Sequence, residues 1–343
     1  MPGDGERAEV RVTTPDVSVI VLNFNGRRYL ESCLTAVEHQ DLECEIVLVD
    51  NASDDDSVVF VRRRFPAVRL VELDRNLGFA AGNNVGARAA TGRYLAFLNN
   101  DTRADPSWLR ALRHAVDDVP DVGFVTSRIV YMHDPLVVDS AGDCLTRSGG
   151  AFKRGHGESS QRVTQPREVF AASGAACLFH REVFEAAGGF DEDFFVSHED
   201  VDLSYRARLL GYRCWYVPEA VVHHEGSATL GRMSPEAVFY GQRNLEWIYL
   251  QNTPWPLLLR TLPGHLVYNA AAAVYFGSVG LGGAFLRGKW AALRGAGRAW
   301  RKRCVIQRSR RASSRMIWSQ LDSRWLARKL REKRFDLGLT GRS

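Results

Sequence analysis

An acidic cluster in the middle of the chain has the residue types needed to activate a hydroxyl group. Glu199, Asp200 and Asp202 lie at the start of a helix predicted over 199–210, directly after the Phe-rich stretch 190–195. Acids in the first turn complement the helix dipole, which explains one or two of the three. A carboxylate behind the aromatic stretch would be partly desolvated, and it could accept the proton of a hydroxyl nucleophile.

A second group of polar residues could bind a divalent cation. Asp101 follows the apolar run 94–98, and a carboxylate there can hold a metal, although turn formation is its commoner role. His223 and His224 follow the strand-like segment 220–222, where adjacent side chains point to opposite faces, so one is expected to reach a cleft. Either could be an ordinary surface or core histidine. Paired with Asp101, one would give a cation site completed by a nucleotide diphosphate and water.

Short apolar runs alternate with helical patterns in the first hundred residues. Because parallel strands joined by helices produce this alternation, it predicts a doubly wound parallel α/β sheet. Ligands of such sheets bind beyond the carboxyl ends of the strands, so Asn23, Asp50 and Asp101 are expected to converge on one cleft. The predicted strands are 17–22, 46–49, 68–72 and 94–98, and the predicted helices are 27–38, 54–64 with Ser53 as N-cap, and 79–90.

The composition is that of a folded protein with an uneven charge distribution. Of 343 residues 45% are hydrophobic, which excludes disordered, collagen-like and disulfide-scaffold proteins. Six scattered cysteines without a C-x-x-C pair indicate free thiols in a reducing compartment. Residues 287–334 hold 17 Lys and Arg against two acids, a net charge of +15, whereas the whole chain carries +5. This basic end predicts an anionic partner such as phospholipid head groups; nucleic acid is not expected, since no recognisable binding module is present.

The chain divides into three predicted regions. Residues 1–15 contain no apolar run that could serve as a signal peptide, and they are expected to form a flexible tail. A catalytic domain is predicted over 16–250, and a helical, basic C-terminal region over 251–343. Residues 261–286 carry no formal charge and predict a helix or helical hairpin lying on or partly in a membrane face. A helix packed against the catalytic domain is the alternative.

Five segments of the chain resemble family 2 glycosyltransferases of the rhamnosyltransferase-like branch. They are VSVIVLNFNG, EIVLVDNASDDDS, RNLGFAAGNNVGARAATGRYLAFLNND, SGAACLFHREVFEAAGGFDEDFF and HEDVDLSYRARLLGYRCWYVPEAVVHHEGS. The resemblance covers 16–250 and implies a GT-A fold, with a Rossmann-like, mostly parallel sheet flanked by helices. It implies a nucleotide diphosphate sugar donor, a divalent cation (Mg²⁺ or Mn²⁺) and inversion at the anomeric carbon. Residues 16–101 would bind the donor, and 102–250 would form the acceptor and catalytic half.

The resemblance assigns donor-binding roles to residues at the strand ends. Asp50 would grip the base or ribose of the nucleotide, with Asn23 and Asn25 lining the same pocket. The Asn-Asn-Asp sequence that ends at Asp101 stands where the family has an Asp-x-Asp metal motif, and only its last acid is present. Asp101 is therefore the expected metal ligand, and Asn100 is an expected contact of the nucleotide sugar.

A run of small residues precedes the fourth predicted strand. Asn76, Gly78, Gly82, Asn83 and Gly86 could together let a ligand approach the backbone. The resemblance places Asn76, Gly78 and Asn83 in the family's donor-binding stretch, so these three are expected to contact the donor.

The resemblance also assigns the chemical roles. Asp200 matches the second residue of the family's Glu-Asp pair and would be the general base, while Glu199 would orient it or bind the acceptor. His224 is the better match to the family's metal-binding histidine, with His223 as the alternative. Asp200 would take the proton of an acceptor hydroxyl while that oxygen attacks the anomeric carbon from the face opposite the diphosphate.

The expected reaction is transfer of rhamnose from dTDP-rhamnose to a lipid-linked or polysaccharide acceptor during cell-envelope glycan synthesis. The protein is expected to be cytoplasmic and peripheral on the inner face of the cell membrane. Similar motifs serve UDP-linked hexose, N-acetylhexosamine and galactofuranose donors, which remain open. Because the metal motif that ends at Asp101 is incomplete, a catalytically silent nucleotide-sugar-binding protein is a further alternative, against which the presence of Asp200 and His224 argues.

Overall fold

A mixed sheet of ten strands with helices on both faces forms the centre of the molecule. The computed structural model describes residues 15–226 and 234–336, so the predicted tail, apart from residue 15, lies outside the described residues. The strands are β1 (Val17–Asn23), β2 (Glu45–Asp50), β3 (Arg69–Glu72), β4 (Tyr94–Asn99), β5 (Thr102–Ala104), β6 (Val122–Tyr131), β7 (Val138–Ser140), β8 (Asp143–Leu145), β9 (Ala151–Lys153), β10 (Arg167–Val169), β11 (Ala176–His180) and β12 (Arg213–His224). The helices are α1 (Arg27–Glu38), α2 (Ser57–Arg64), α3 (Gly78–Ala89), α4 (Trp108–Asp118), α5 (Arg181–Ala186), α6 (Glu199–Leu209), α7 (Pro235–Asn252), α8 (Trp255–Ser278), α9 (Gly282–Ser309), α10 (Ser314–Gln320) and α11 (Trp325–Asp336).

The strand order is β10-β12-β6-β11-β4-β1-β2-β3, with β5 beside β12 and β7 beside β6. Strands β1 to β4 are parallel, which confirms the α/β arrangement predicted from their spacing. Strand β11, however, lies antiparallel between β4 and β6, so the second half of the sheet is mixed. The chain between β6 and β11 also adds two short antiparallel strands to this half of the sheet, β7 beside β6 and β10 beside β12.

Strand β1 is buried on both faces. Val17, Val19 and Val21 belong to the hydrophobic layer that contains residues of α1, α2 and α4, whereas Ile20 belongs to the layer with α3, α5 and α6. Because helices cover both faces, the strand is apolar along most of its length instead of alternating. The two layers hold the carboxyl ends of β1 and β2 in fixed positions.

Two glycines of α3 serve helix–sheet packing. A Cβ at Gly82 would lie 2.5 Å from a methyl group of Leu22, and a Cβ at Gly86 would clash with Ile20. These two glycines therefore face β1, and the prediction that they let a ligand approach the backbone is wrong for them. Their small size brings α3 close to the sheet.

The C-terminal helices share a core with the catalytic region. Tyr205 of α6, Ile248 of α7 and Ala292 of α9 lie in one buried cluster. A helical hairpin is present, but it is longer than the predicted 261–286: α8 begins at Trp255, the turn lies between Ser278 and Gly282, and α9 continues to Ser309. Its inner faces are packed against the rest of the protein, as the alternative prediction had it. Within the part of the chain that the structure describes, no helix is both long and apolar enough to span a bilayer.

Candidate active site

Asp50 lies at the centre of a polar pocket at the carboxyl ends of β1 and β2. Its Oδ1 accepts hydrogen bonds from Asn23 Nδ2 at 3.0 Å and from the Ser53 hydroxyl at 2.7 Å, and its Oδ2 accepts the Ser53 N–H at 2.9 Å. Asn23 and Asp50 are direct partners in the parallel register, which brings them together. Ser53 belongs to this pocket and does not cap α2, because that helix begins only at Ser57.

The loops around the pocket are shaped by asparagine side chains. Asn25 has a left-handed backbone with φ of 50°, and its Oδ1 accepts the Asp54 N–H at 2.7 Å. Asn76 Oδ1 accepts the Gly78 N–H at 2.8 Å and a bond from Asn51 Nδ2 at 2.9 Å. Asn51 was not predicted as a site residue, although its position directly after Asp50 could have indicated it.

The start of α3 is covered by the loop that precedes α6. Gly78 has a φ of +82°, and a Cβ there would lie 2.5 Å from the ring of Phe195. The Phe195 carbonyl accepts the N–H groups of Phe79 at 2.6 Å and Ala80 at 3.3 Å. Asn83 is buried one turn further on and donates to the Phe79 carbonyl at 3.0 Å. Two backbone donors at the start of α3 are thus bonded to the protein itself.

Asn100 connects the polar pocket around Asp50 to the predicted metal ligand. Its Nδ2 donates to Asn23 Oδ1 at 2.7 Å, so Asp50, Asn23 and Asn100 form one hydrogen-bonded chain. An ionised carboxylate has no proton to donate and could not make this bond. The bond gives a physical reason for an asparagine directly before Asp101.

Asp101 and His224 come together in the adjoining part of the cleft. Asp101 Oδ1 lies 3.3 Å from His224 Nε2, and both side chains are buried. The antiparallel pairing of β5 with β12 sets this contact, because Thr102 is opposite His224 in the register. His223 points to the other face, where its Nε2 lies 3.1 Å from Asp105 Oδ1.

A buried carboxylate that the sequence did not indicate orients His224. Asp139 Oδ2 lies 2.8 Å from His224 Nδ1, and both Asp139 oxygens lie 2.9 Å from Lys153 Nζ. Burial alone would raise the pKa of Asp139, but the Lys153 cation and the imidazole hydrogen bonds hold that pKa well below its usual range. Burial favours the neutral form of His224, yet its hydrogen bonds with Asp101 and Asp139 raise its pKa to about 9.

The donor atoms of this pair fit a divalent cation. Carboxylate oxygen and imidazole nitrogen both suit metals such as Mn²⁺, and a carboxylate behind the histidine is the usual support of a metal-bound imidazole. Among the residues that the structure describes, no group of three or more His, Cys, Asp or Glu side chains is arranged to hold a metal. A cation held by Asp101 and His224 would need further ligands, such as diphosphate oxygens and water.

The acid pair at the start of α6 is divided between two environments. Asp200 is partly exposed, and its oxygens accept the N–H groups of Gly174 and Val201, both at 2.7 Å. Glu199 is buried, and this burial, followed by the charge of Asp200, raises its pKa well above the usual range. Asp200 is thus the accessible carboxylate of the two, with a buried acid beside it.

Two further carboxyl groups surround the pair. Asp202 is wholly buried and accepts hydrogen bonds from Arg206 Nε at 2.8 Å and Gln251 Nε2 at 2.7 Å, which joins α6 to α7. Asp143 of β8 is also buried, and burial together with the charge of Asp200 raises its pKa to about 8. Asp143 was missed because β8 has only three residues and no readable pattern.

The loop before α6 is strained. Phe195, Ser197 and His198 have φ angles of 62°, 75° and 66°, in the left-handed region that non-glycine residues rarely adopt. Such conformations persist where the surroundings fix them. Asn244 of α7 fixes this loop, since its Nδ2 donates to three of the loop's carbonyls at 2.7 to 3.1 Å. A helical pattern surrounds Asn244 in the sequence, and nothing there distinguished it.

A cavity of about 710 Å³ lies apart from these groups, between α3, the segment 184–193 and α9. None of the predicted site residues lines it. The candidate active site therefore lies outside this cavity. It consists of the polar side chains at the strand ends, the Asp101–His224 pair and Asp200.

Two solved structures share this fold. GalNAc-T7, solved with UDP, GalNAc and Mn²⁺, superposes with a TM-score of 0.56 at 17% identity, over 70% of this chain and 48% of that chain. The mannosyltransferase PcManGT from Pyrobaculum calidifontis, solved with GDP-Man and Mn²⁺, gives a TM-score of 0.50 at 21% identity, over 86% of this chain and 88% of that chain. The fold is the GT-A fold of glycosyltransferases.

Sequence relatives narrow this class to a family. The family model described as "Glycosyl transferase family 2" matches residues 18–188. The chain is 31% identical to the O-antigen biosynthesis protein RfbC of Myxococcus xanthus, over 71% of this chain and only 19% of that protein. It is 30% identical to an uncharacterized protein of Mycobacterium tuberculosis, over 67% of this chain and 73% of the other.

A third relative has a more specific name. The N-acetylglucosaminyl-diphospho-decaprenol L-rhamnosyltransferase of Mycobacterium tuberculosis is 28% identical, over 75% of this chain and 92% of that protein. The present chain belongs to glycosyltransferase family 2 and is rhamnosyltransferase-like, which confirms the resemblance carried by the five segments.

Proposed function

We propose that this chain transfers rhamnose from dTDP-rhamnose to a hydroxyl group of a lipid-linked or polysaccharide acceptor in cell-envelope glycan synthesis. One relative is named for O-antigen biosynthesis, and another is named an L-rhamnosyltransferase of N-acetylglucosaminyl-diphospho-decaprenol. These names support the sugar and the kind of acceptor.

The observation that carries the proposal is a continuous polar path along the strand ends. It runs by hydrogen bonds from Asp50 through Asn23 to Asn100, whose neighbour Asp101 lies 3.3 Å from His224. A nucleotide diphosphate sugar has a base and ribose at one end and charged phosphates further along. The path offers polar groups for the first and a cation-binding pair for the second.

The donor would lie along this path. Asp50 would bind the base or ribose, and Asn23 and Asn25 would line the same pocket. Asn76 and Gly78 stand at the edge of the pocket through their bonds with each other and with Asn51. We assign Asn83 and Asn100 to the donor side as well, Asn100 through its bond to Asn23.

Asp200 would act as the general base. Two backbone N–H groups fix its carboxylate, and its partial exposure leaves it open to a substrate. Asp200 would accept the proton of the acceptor hydroxyl while the hydroxyl oxygen bonds to the anomeric carbon and the bond from that carbon to the diphosphate breaks. A single displacement of this kind inverts the anomeric configuration. Glu199, buried beside it, would orient Asp200.

Asp101 and His224 would hold the divalent cation, Mg²⁺ or Mn²⁺. When bound there, the cation supplies positive charge next to the negative charge that grows on the leaving diphosphate. Asp139 and Lys153 contribute by keeping His224 oriented toward Asp101. The complexes of GalNAc-T7 and PcManGT with Mn²⁺ support the choice of a divalent metal.

The cellular place is proposed with the acceptor. A lipid-linked acceptor lies at a membrane, so the protein would work in the cytoplasm, on the inner face of the cell membrane and bound to its anionic surface. The basic residues of 287–334 support this attachment.

Nucleotide-dependent stability tests the donor assignment. Ligands that bind the native state raise its melting temperature, so the purified protein is heated with dTDP, UDP or GDP, each with Mg²⁺, Mn²⁺ or a chelator. A metal-dependent shift with dTDP, followed by turnover of dTDP-rhamnose, is expected. A rise in melting temperature with UDP alone would indicate that the donor is a UDP-hexose or UDP-galactofuranose. A shift without turnover of any sugar nucleotide would favour a silent binding protein.

A further inference from the structure

The outer side of the α8–α9 hairpin is unusually apolar for a surface. On α8, Leu259, Leu262 and Leu266 are exposed by 42 to 60%, although they alternate with the buried Leu257, Thr261 and His265. Their spacing of three and four residues puts them on one stripe of the helix, opposite the packed face.

Helix α9 carries a second stripe of the same kind. Leu286, Trp290 and Leu293 are 57 to 67% exposed and are also spaced by four and three residues. Between residue 15 and residue 254 of the described chain, Val59 and Leu136 are the large apolar side chains that are half or more exposed. We call the six residues of the two stripes the docking surface.

The two helices are tied together at both ends of the hairpin. The rings of Trp255 and Trp300, both about half exposed, meet edge to face with centroids 6.4 Å apart. At the turn, the rings of Phe276 and Phe285 stack at 5.7 Å. The docking surface is therefore carried by one antiparallel unit.

The charges around the docking surface have one sign. The sequence contains no Asp or Glu between Glu246 and Asp322. Among the basic residues of α9, Arg287, Arg294 and Arg301 are exposed and have no acidic partner among the described residues. An apolar stripe flanked by arginines is the composition of helices that lie in the interface of anionic membranes.

We propose that the α8–α9 hairpin docks flat on an anionic phospholipid bilayer through the docking surface. The leucines and Trp290 enter the boundary between head groups and acyl chains, and the flanking arginines contact lipid phosphates. A second copy of this chain suits the surface less well, because a symmetric contact would bring the same unpaired arginines face to face. The inference rests on the proposed function, since a lipid-linked acceptor needs the enzyme at this surface.

The hairpin is also bonded to the segment that leads to the acid pair of α6. Arg298 and Lys302 of α9 form ion pairs with Asp193, and the Lys302 Nζ–Asp193 distance is 2.6 Å. Asp193 lies two residues before Phe195, whose carbonyl bonds to the start of α3. Docking of the hairpin would therefore fix the orientation of the catalytic cleft relative to the bilayer.

Vesicle flotation tests the proposal with the full chain. Vesicles of phosphatidylcholine with phosphatidylglycerol are compared with vesicles of phosphatidylcholine alone. The wild-type protein is expected to float with the anionic vesicles, and Trp290→Gln/Leu293→Gln is expected to lose about tenfold or more of this binding, since the apolar contact is removed. The matched control, Val59→Gln/Leu136→Gln, changes two exposed apolar residues outside the hairpin and is expected to bind as the wild type does.

A charge variant separates the two contributions. Arg287→Gln/Arg294→Gln is expected to bind anionic vesicles more weakly and to lose part of the salt dependence, whereas Arg62→Gln/Arg63→Gln on α2 is expected to leave both unchanged. Undiminished flotation of the Trp290→Gln/Leu293→Gln protein, with its melting temperature unchanged, would overturn the proposal. So would a wild-type dimer that ignores vesicles and dissociates in this variant, because a second copy would then cover the surface.

The nucleotide measurement keeps this inference separate from the proposed function. The Trp290→Gln/Leu293→Gln protein is expected to keep the wild-type thermal shift with dTDP and Mn²⁺. Flotation without a thermal shift from any nucleotide would support the docking surface and count against the transferase proposal. A thermal shift without flotation would overturn the docking surface alone.

Discussion

His224 Nδ1 lies 2.8 Å from Asp139 Oδ2, while its other nitrogen, Nε2, faces Asp101 at 3.3 Å. A histidine that donates from Nδ1 to a carboxylate can bind a metal through Nε2 once Nε2 has lost its proton. Lys153, which is partly exposed, holds the buried Asp139 in turn, so the orientation of His224 is fixed from behind by an ion pair. Four side chains from three strands and one loop thus act together at the proposed cation site.

Replacing Asp139 is therefore expected to weaken metal binding. Asp139→Asn keeps the size of the side chain but removes the negative charge that orients the imidazole, and such a change costs about 10- to 100-fold in metal affinity. The measurement is a titration with Mn²⁺ in the presence of dTDP, in which the melting temperature is recorded at each Mn²⁺ concentration. Asp105→Asn, which changes the carboxylate beside His223, is the matched control and is expected to bind Mn²⁺ normally. Equal metal affinity in both variants would remove Asp139 from this role.

Asp200→Asn is expected to abolish turnover while sparing the donor pocket. An amide cannot accept the acceptor's proton, and loss of a general base lowers kcat by about 10²- to 10⁴-fold. The thermal shift produced by dTDP and metal is expected to stay close to that of the wild type, because Asp50 and Asn23 are unchanged. Glu182→Gln, which changes an exposed acid in the first turn of α5, is the control for kcat. Substantial residual transfer by Asp200→Asn would assign the base elsewhere.

Asp143 is expected to make stability depend on pH. Burial and the charge of Asp200 raise its pKa to about 8, whereas an unfolded aspartate titrates near about 4. The folded protein thus holds a proton that the unfolded chain releases, and its stability falls as the pH rises through this interval. Melting temperatures of the wild type and Asp143→Asn are compared at several pH values between these limits. The melting temperature of Asp143→Asn is expected to rise relative to that of the wild type as the pH increases. If the two melting temperatures changed in parallel with pH, Asp143 would not be the group responsible.

Asn244→Ala is expected to release the strained loop before α6. The change leaves three loop carbonyls without their shared donor, and unsatisfied buried polar groups cost about 1–3 kcal/mol. We expect a lower melting temperature and a fall in kcat, because the same loop leads into Asp200. Glu236→Ala, an exposed change on the same helix, serves as the control. A loss of stability without any change in kcat would show that the loop geometry is not needed for the reaction.

The sequence was sufficient to predict the part of the site that depends on parallel strands. Asn23 and Asp50 end adjacent strands, and a fixed register brings them together without any long-range information. The Ser53 prediction failed because a serine at this position could either cap a helix or bond to Asp50, and the second bond was available within three residues. Gly82 was misread for a similar reason, since a small residue permits close packing as well as ligand approach.

The support of the site could not be predicted. Asp139 and Asp143 lie on strands of three residues, too short for a periodic pattern, and Asn244 lies in a helix whose neighbours give no reason to single it out. Each acts on a residue far away in the chain: Asp139 contacts His224 across 85 positions. The contact between Asp139 and His224 depends on β7 and β12 both pairing with β6, which no local pattern records.

In the proposed reaction, the bond between the Phe195 carbonyl and the start of α3 would couple donor binding to the position of Asp200. A phosphate of the donor that approached the N–H groups of Phe79 and Ala80 would compete with this carbonyl, and its displacement would move the segment that leads to Asp200. Binding of the sugar nucleotide and positioning of Asp200 would then occur together. The kinetics are accordingly expected to show an ordered sequence, with the donor bound before the acceptor.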